Sequence, residues 1–280
     1  MKLIGKTLSV LAVAALLAAT PAFAAEDGRR EARDIDFSFE GPFGTFDRAQ
    51  LQRGYQVYAE VCASCHALRF LKFRNLGEPG GPEFSAAEIK AIAASFDVRD
   101  GPNSDGEMFQ RSGIPSDAFV SPYPNDQAAR AAFGGALPPD LSLITKARKG
   151  WEGTLASLYT AKMFKGSGGP EYIYSLLAGY QDPPADMPAG PEGAAYNPYF
   201  EAGPWIAMPP PLSDDGVTYG DGTKASVDQM ARDVAAFLAW TAEPKMEARK
   251  RLGFQVLIYL AVLTVLLYLT KKAIWARIDH

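Results

Sequence analysis

The chemistry in this sequence is concentrated in five consecutive residues, Cys62-Ala63-Ser64-Cys65-His66. Two thiols three residues apart on a helical turn can both reach the vinyl groups along one edge of a porphyrin, while the adjacent histidine can turn its imidazole onto the iron. This is the attachment pattern of a c-type haem. The competing chemistries each lack a part. A zinc site needs two more nitrogen or sulfur ligands, yet these are the only cysteines, and the only other histidine is His280, the last residue. A dithiol oxidoreductase is expected in a βαβ setting, and no run here alternates apolar and polar residues long enough to build a sheet core.

A six-coordinate iron needs a distal ligand. Because His280 lies beyond a terminal apolar run, one chain cannot supply two histidines, and methionine is the favoured sixth ligand. His/Met ligation raises the reduction potential and suits electron transfer. The candidates are Met108, Met163, Met187, Met208 and Met230, each of which could also be core filler. Met208 stands out because Ile206-Ala207-Met208-Pro209-Pro210-Pro211-Leu212 is an apolar loop with φ fixed at three successive residues, a stiff mount for a weak ligand. Met187, in Asp186-Met187-Pro188, is its rival.

These residues must be positioned by helices and Gly/Pro-rich loops. The spacing predicts a helix over Arg48 to Ser64, N-capped by Asp47, with Leu51, Tyr55 and Tyr58 on one face. A second is expected from the Ser85/Glu88 capping box to about Val98. Others are expected at Asp126 to Phe133, Gly153 to Lys165 and Tyr172 to Gly179. The last soluble helix starts at Ser226, with Gln229 completing another capping box and Met230, Val234, Phe237 and Leu238 facing inward before Pro244. Residues 99 to 124 and 181 to 225 read as long loops, a length that usually serves function or binding. Gly166-Ser167-Gly168-Gly169 lacks the Lys-Ser/Thr of a phosphate loop and reads as a turn.

Both ends of the chain speak of a membrane. Residues 1–24 carry an early lysine, a 12-residue apolar run from Leu8 to Ala19, Pro21, and Ala22-Phe23-Ala24 as a small-x-small cleavage site, the form of a bacterial secretory signal. The mature chain then starts at or near Ala25. Leu252 to Thr270 is apolar apart from Gln255 and Thr264 and is fenced by Arg249-Lys250-Arg251 and Lys271-Lys272. Its length of about 28 Å matches one bilayer core. The organisation expected is a signal peptide at 1–24, an exported haem domain at 25–243, an anchor helix at 244–272 and a cytoplasmic tail at 273–280. With 26 glycines, 21 prolines and 48% hydrophobic residues, disorder and a long coiled coil are both excluded. Residues 25–243 carry 19 basic and 30 acidic groups, net −11, which disfavours a nucleic-acid partner and permits a basic one.

The residues also resemble a known family. Gly41-Pro42-Phe43-Gly44-Thr45-Phe46-Asp47, Gln50-Leu51-Gln52-Arg53-Gly54 leading into Cys62-Ala63-Ser64-Cys65-His66, and Phe73-Arg74-Asn75-Leu76 come first. Gly135-Ala136-Leu137-Pro138-Pro139-Asp140-Leu141-Ser142 follows, with Lys146-Ala147-Arg148, then Tyr174-Ser175-Leu176-Leu177-Ala178-Gly179-Tyr180, Asn197-Pro198-Tyr199-Phe200 and Ile206-Ala207-Met208-Pro209. In this order, over nearly the whole mature chain, they resemble the cytochrome c1 family, the haem subunits of cytochrome bc1 complexes, in their alphaproteobacterial form. The haem motif is common to all c-type cytochromes, whereas the proline-rich segments and terminal span are far more restrictive.

The resemblance implies an all-α, cytochrome-c-like domain with long loop insertions plus one C-terminal transmembrane helix. It implies one covalently bound haem c, with thioethers at Cys62 and Cys65, His66 as proximal ligand and Met208 as distal ligand. Arg148 matches an arginine that meets a haem propionate, or else is a solvated helix-end residue. Leu137-Pro138-Pro139 matches the apolar wall beside the proximal histidine, where a backbone carbonyl can accept from the imidazole, with plain core packing as the alternative. Tyr199 and Phe200 match pocket aromatics or ordinary loop anchors. The extra cysteine pair of some bacterial relatives is missing. The implied role is that of a subunit of quinol-cytochrome c reductase in the respiratory chain, with no substrate chemistry of its own. It would accept an electron from the Rieske iron-sulfur subunit beside cytochrome b and pass it to a soluble or tethered cytochrome c. The implied location is the bacterial inner membrane, crossed once, with the haem domain in the periplasm and the C-terminus in the cytoplasm. A free membrane-tethered cytochrome shuttle and a haem sensor with an open distal site are the alternatives.

Overall fold

Asp47 accepts a hydrogen bond from the backbone N–H of Gln50 at 3.2 Å and so starts helix α1, Arg48–Glu60, as its sequence predicts. The helix ends earlier than expected. Cys62–Ser64 form a tighter 3₁₀ turn, in which the Ser64 hydroxyl donates to the Val61 carbonyl at 3.0 Å and competes with the helical ladder. The computed structural model describes residues 30–151 and 165–276. The leader at 1–24, nearly all of the helix expected at 153–165 with Met163, and the end of the tail with His280 lie outside the described residues.

Helix α2, Ala86–Ala94, opens with the full Ser85/Glu88 capping box. It stops four residues short of Val98. The Ser95 hydroxyl donates to the Ile92 carbonyl, and the chain turns into β1, Asp97–Asp100, which pairs antiparallel with β2, Phe109–Ser112. The first half of the segment 99–124 is therefore a ribbon rather than an open loop, and Arg111 ties it to Asp100 and to Asp117 in the loop that follows. Helix α3 spans Asp126–Ala132, and α4 is a single turn, Ile144–Ala147. Helix α5, Gly169–Leu177, begins three residues before the predicted Tyr172 because Gly168, in the left-handed region, leads into Pro170 in its first turn. A Cβ on Gly169 would stand 1.7 Å from the Thr145 carbonyl oxygen, so glycine lets α5 meet α4.

A second ribbon, β3 (Ala195–Tyr196) with β4 (Trp205–Ile206), lies inside the other long loop. Helix α6, Val227–Ala242, is capped by Ser226, but the predicted capping box is only half made: the Gln229 side chain donates to Asp233 at 2.9 Å instead of reaching back. Met230, Val234, Phe237 and Leu238 are buried as predicted. The architecture of the described residues is helical, with strands confined to these two ribbons.

The core forms where α1 crosses α6. A Cβ on Gly54 would lie 2.1 Å from the Asp233 carbonyl oxygen, so glycine permits the crossing, and Tyr55 and Tyr58 then place their rings against Phe237 at 5.8 and 5.9 Å. Asp233, fully buried on α6, is paired by Arg53 of α1 at 2.9 Å, which offsets the cost of its desolvated charge. After the turn Pro244-Lys245, helix α7 runs from Met246 to Trp275; an 18-residue stretch of it reaches a mean hydropathy of 2.3, and the side chains from Leu252 to Leu269 are turned outward. At 1.5 Å per residue it is about 45 Å long. Its length and apolar surface fit a single-pass membrane anchor.

Candidate functional site

The five-residue motif lies just past the end of α1, where its backbone is pinned. The Cys65 and His66 N–H groups both donate to the Cys62 carbonyl, at 3.1 and 2.9 Å, and the Tyr58 hydroxyl donates to the His66 carbonyl at 3.2 Å. Cys62 and Cys65 are free thiols, and both are half-buried. Burial, reinforced by the neighbouring Cys65, pushes the Cys62 thiol up to about 12.

His66 Nδ1 lies 2.8 Å from the Pro139 carbonyl oxygen. A carbonyl only accepts, so Nδ1 carries the hydrogen and Nε2 keeps its lone pair. Burial lowers the His66 pKa, against opposing contributions from the Pro139 carbonyl and Asp140, which favours this neutral form. The sequence separation of 73 residues is closed by a zip of short contacts. The Leu141 N–H donates to the Ala67 carbonyl at 2.9 Å, the Phe70 N–H to the Ser142 hydroxyl at 3.2 Å, and the Arg69 N–H to the Asp140 carboxylate at 3.0 Å. Asp140 also accepts from the Ser142 N–H at 2.8 Å. Burial would raise its pKa, but hydrogen bonds from Ser142 and Arg69 hold it below the usual carboxylate range. The Leu137-Pro138-Pro139 wall thus presents a carbonyl to His66, held by the residues that follow it.

Met208 is half-buried two residues after β4. Its carbonyl accepts from the Tyr180 hydroxyl at 3.1 Å, and its side chain packs against the main core together with Tyr180, Phe200 and Cys62. Behind it, fully buried Asn197 donates to the Leu176 carbonyl at 2.7 Å and accepts from the Tyr199 N–H at 3.0 Å, joining the ribbon to α5. The other methionines are placed differently. Met230 is fully buried in α6, Met108 is exposed on the β1–β2 ribbon, and Met187 is half-buried within the 181–194 loop.

Arg148 stands 3.5 Å from Glu201 and is partly exposed. Tyr199 accepts from Arg33 Nε at 3.0 Å, with the guanidinium 5.2 Å from its ring centroid, and its ring closes over Gly179. The described contacts of these two side chains therefore tie loops to the N-terminal segment and to one another. Two positioning residues escaped the sequence reading: Tyr180, quoted there without a role, and Tyr58, read only as a core-facing ring. Tyr58 is buried and Tyr180 half-buried, and a tyrosine taken out of water needs a partner for its hydroxyl.

The donor set fits a c-type haem. Two unpaired thiols stand beside a neutral imidazole whose Nδ1 is already engaged, and a soft thioether is held on a stiff, core-packed loop. Among the described residues no group of three or more His, Cys, Asp or Glu side chains is arranged to hold a metal ion.

Residues 37–278 match the model of the cytochrome C1 family. Over 295 residues the chain is 46% identical to the cytochrome c1 of Cereibacter sphaeroides, covering 99% of this chain and 97% of the relative. It is 51% identical over 255 residues to the cytochrome b/c1 of Bradyrhizobium diazoefficiens, a match that takes in 90% of this chain but 36% of that protein, about a third of its length. It is also 45% identical over 244 residues to the mitochondrial "cytochrome c1 1, heme protein" of Arabidopsis thaliana, covering 86% of this chain and 72% of the relative.

Proposed function

This chain belongs to the cytochrome c1 family, and from that membership we propose that it is the haem-carrying electron-transfer subunit of a ubiquinol-cytochrome c oxidoreductase, anchored once in a bacterial inner membrane with its haem domain in the periplasm. The haem, when bound, supplies a one-electron iron couple. Cys62 and Cys65 would hold it through thioethers, and His66 and Met208 would bind its iron. The Pro139 carbonyl holds the hydrogen on His66 Nδ1 and so leaves the Nε2 lone pair available to a metal. The Tyr180 hydroxyl, bonded to the Met208 carbonyl, and the prolines after Met208 stiffen the loop that would offer the thioether to the iron, a ligand that suits electron transfer. Arg148 would meet a haem propionate in place of Glu201, and Tyr199, packed on Gly179, would form part of the pocket wall.

The chain takes its electron from a Rieske iron-sulfur subunit, beside a cytochrome b, and delivers it to a soluble or tethered cytochrome c. The observation that carries the reading is the bond at 2.8 Å between His66 Nδ1 and the Pro139 carbonyl, next to two unpaired cysteines. A denaturing gel stained for haem peroxidase activity tests the attachment: the full-length chain should carry stain, and the Cys62→Ser/Cys65→Ser double variant should carry none. Mild-detergent purification through a tag on this chain should bring down a cytochrome b and an iron-sulfur protein. A stained chain that elutes alone would favour the free shuttle instead.

A further inference from the structure

The first turns of α7 are not a loose tether, because the segment before α1 is fastened to them along one stripe. Glu247 takes Arg48 in a two-pronged ion pair at 2.7 and 2.8 Å and also accepts from the Phe46 N–H at 2.9 Å. One turn on, the Lys250 ammonium donates to the Phe39 and Gly44 carbonyls at 2.7 and 3.0 Å. One turn further, Phe254 meets Phe43 edge to face, ring centroids 5.8 Å apart. Residues 247, 250 and 254 share a face of the helix by their spacing.

The consequence is a fixed height for the Gly41-Pro42-Phe43-Gly44 turn. Phe254 is the third residue of the apolar run that starts at Leu252, so its Cα lies about 3 Å along the helix from the start of that run. Phe43, bolted beside it, is 76% exposed although it is aromatic and belongs to no polar network. Pro42 next to it is also exposed. The charged residues of α7 nearest this level, Arg249, Lys250 and Arg251, all lie on its domain side, and beyond it the helix carries no charge until Lys271.

We propose that the turn Gly41–Gly44 is a second membrane contact, with the Phe43 ring buried beside Phe254 at the boundary between headgroups and acyl chains. An aromatic ring is favoured at that depth. With the span as one support and Phe43 as the other, the haem domain is held at a set tilt to the bilayer instead of swinging on its anchor. The inference rests on α7 crossing a bilayer, and its test separates the two.

Nitroxide labels would be placed on single cysteines in the full-length chain reconstituted in palmitoyl-oleoyl phosphatidylcholine vesicles, with the unsubstituted chain as labelling background. Leu257→Cys reports the span. Asp182→Cys reports water: it lines a hollow with Val227 at the start of α6, whereas Glu243 and Arg249 lie at the other end of that helix of about 24 Å. At Phe43→Cys the ratio of collisions with oxygen, which partitions into lipid, to those with a water-soluble nickel chelate should match Leu257 and exceed Asp182 several-fold. If Phe43→Cys does not fold, Pro42→Cys supplies the same reading. A ratio like that of Asp182, with Leu257 lipid-exposed, overturns the second contact and leaves the span intact. A Phe43 label shielded from both quenchers means a protein partner covers the turn, and this also overturns it. A water-exposed Leu257 would remove the span and the proposal together.

Discussion

At the scale of single residues, the distal ligand rests on the shortage of histidine and on the mount of Met208. Leucine keeps the size of methionine but cannot bind iron, so Met208→Leu should leave the fold and the thioethers intact. It should abolish the weak near-infrared sulfur-to-iron band of the oxidised protein and lower the potential by on the order of hundreds of millivolts, within the range axial ligands control. An unchanged band would move the assignment to Met187. A second residue-scale prediction concerns a group outside the site. Glu171 on α5 is 1% exposed, beside Glu40. Burial, together with the Glu40 charge, raises its pKa above the ordinary 4.5, with Lys165 partly opposing. The folded state therefore holds a proton that the unfolded chain releases, and stability falls as pH climbs above about 4.5. Glu171→Gln should flatten that fall, raising the melting temperature at alkaline pH with no gain at acid pH. A variant whose melting curve tracks the parent at every pH would mean that the carboxyl ionises freely in the folded protein.

At the scale of elements, α7 begins as part of the domain before it becomes the anchor. A boundary after Glu243 would strip Met246 from the core, leave Arg48 with Glu83 as its remaining carboxylate and orphan the Phe46 N–H. Burying Met246 contributes about 2 kcal/mol and the partly exposed ion pair about 1 kcal/mol. A chain ended after Arg251 should therefore melt on the order of 5–10 °C above one ended after Glu243. Equal melting would show the clamp to be energetically idle. The same contrast shows which elements could be read in the sequence. Caps are local chemistry, and Asp47, Ser85 and Ser226 all start helices where their types and spacing say they should. Gln229 abandoned its box for Asp233, one turn further along the same helix, a local competitor that the capping pattern alone does not weigh. The β1–β2 ribbon has no alternation to betray it, being held by Arg111 between Asp100 and Asp117. In the site, the attachment motif was legible because its five residues are contiguous. The Pro139 carbonyl could be reached only through the resemblance, since the zip that delivers it spans the chain, and Tyr180 gave no local sign of its bond to Met208.

At the scale of the molecule, the charge of −11 on residues 25–243 asks where the acidic excess sits relative to the proposed haem. Asp100 is already paired with Arg111, which removes much of its field from solution. Asp105 and Glu107 are exposed at the ribbon tip, and Asp182, Asp186 and Glu192 are exposed along the 181–194 loop. That loop leaves α5 through Tyr180, whose hydroxyl holds the Met208 carbonyl, and Asp182 lines a hollow with Trp205 and Pro210, whereas the ribbon hangs from the end of α2. If a basic cytochrome c is steered to the distal side, the second-order rate of electron transfer should fall steeply as the Debye length shrinks from about 30 Å at 0.01 M to about 8 Å at 0.15 M ionic strength. The triple variant Asp182→Asn/Asp186→Asn/Glu192→Gln should flatten that dependence far more than Asp105→Asn/Glu107→Gln, with the haem spectrum unchanged in both. Stopped-flow mixing with a basic cytochrome c across a salt series measures this directly. A rate indifferent to salt in the parent chain would take the acidic surface out of docking, and equal flattening by the two variants would mean that net charge, rather than the loop beside Met208, guides the encounter.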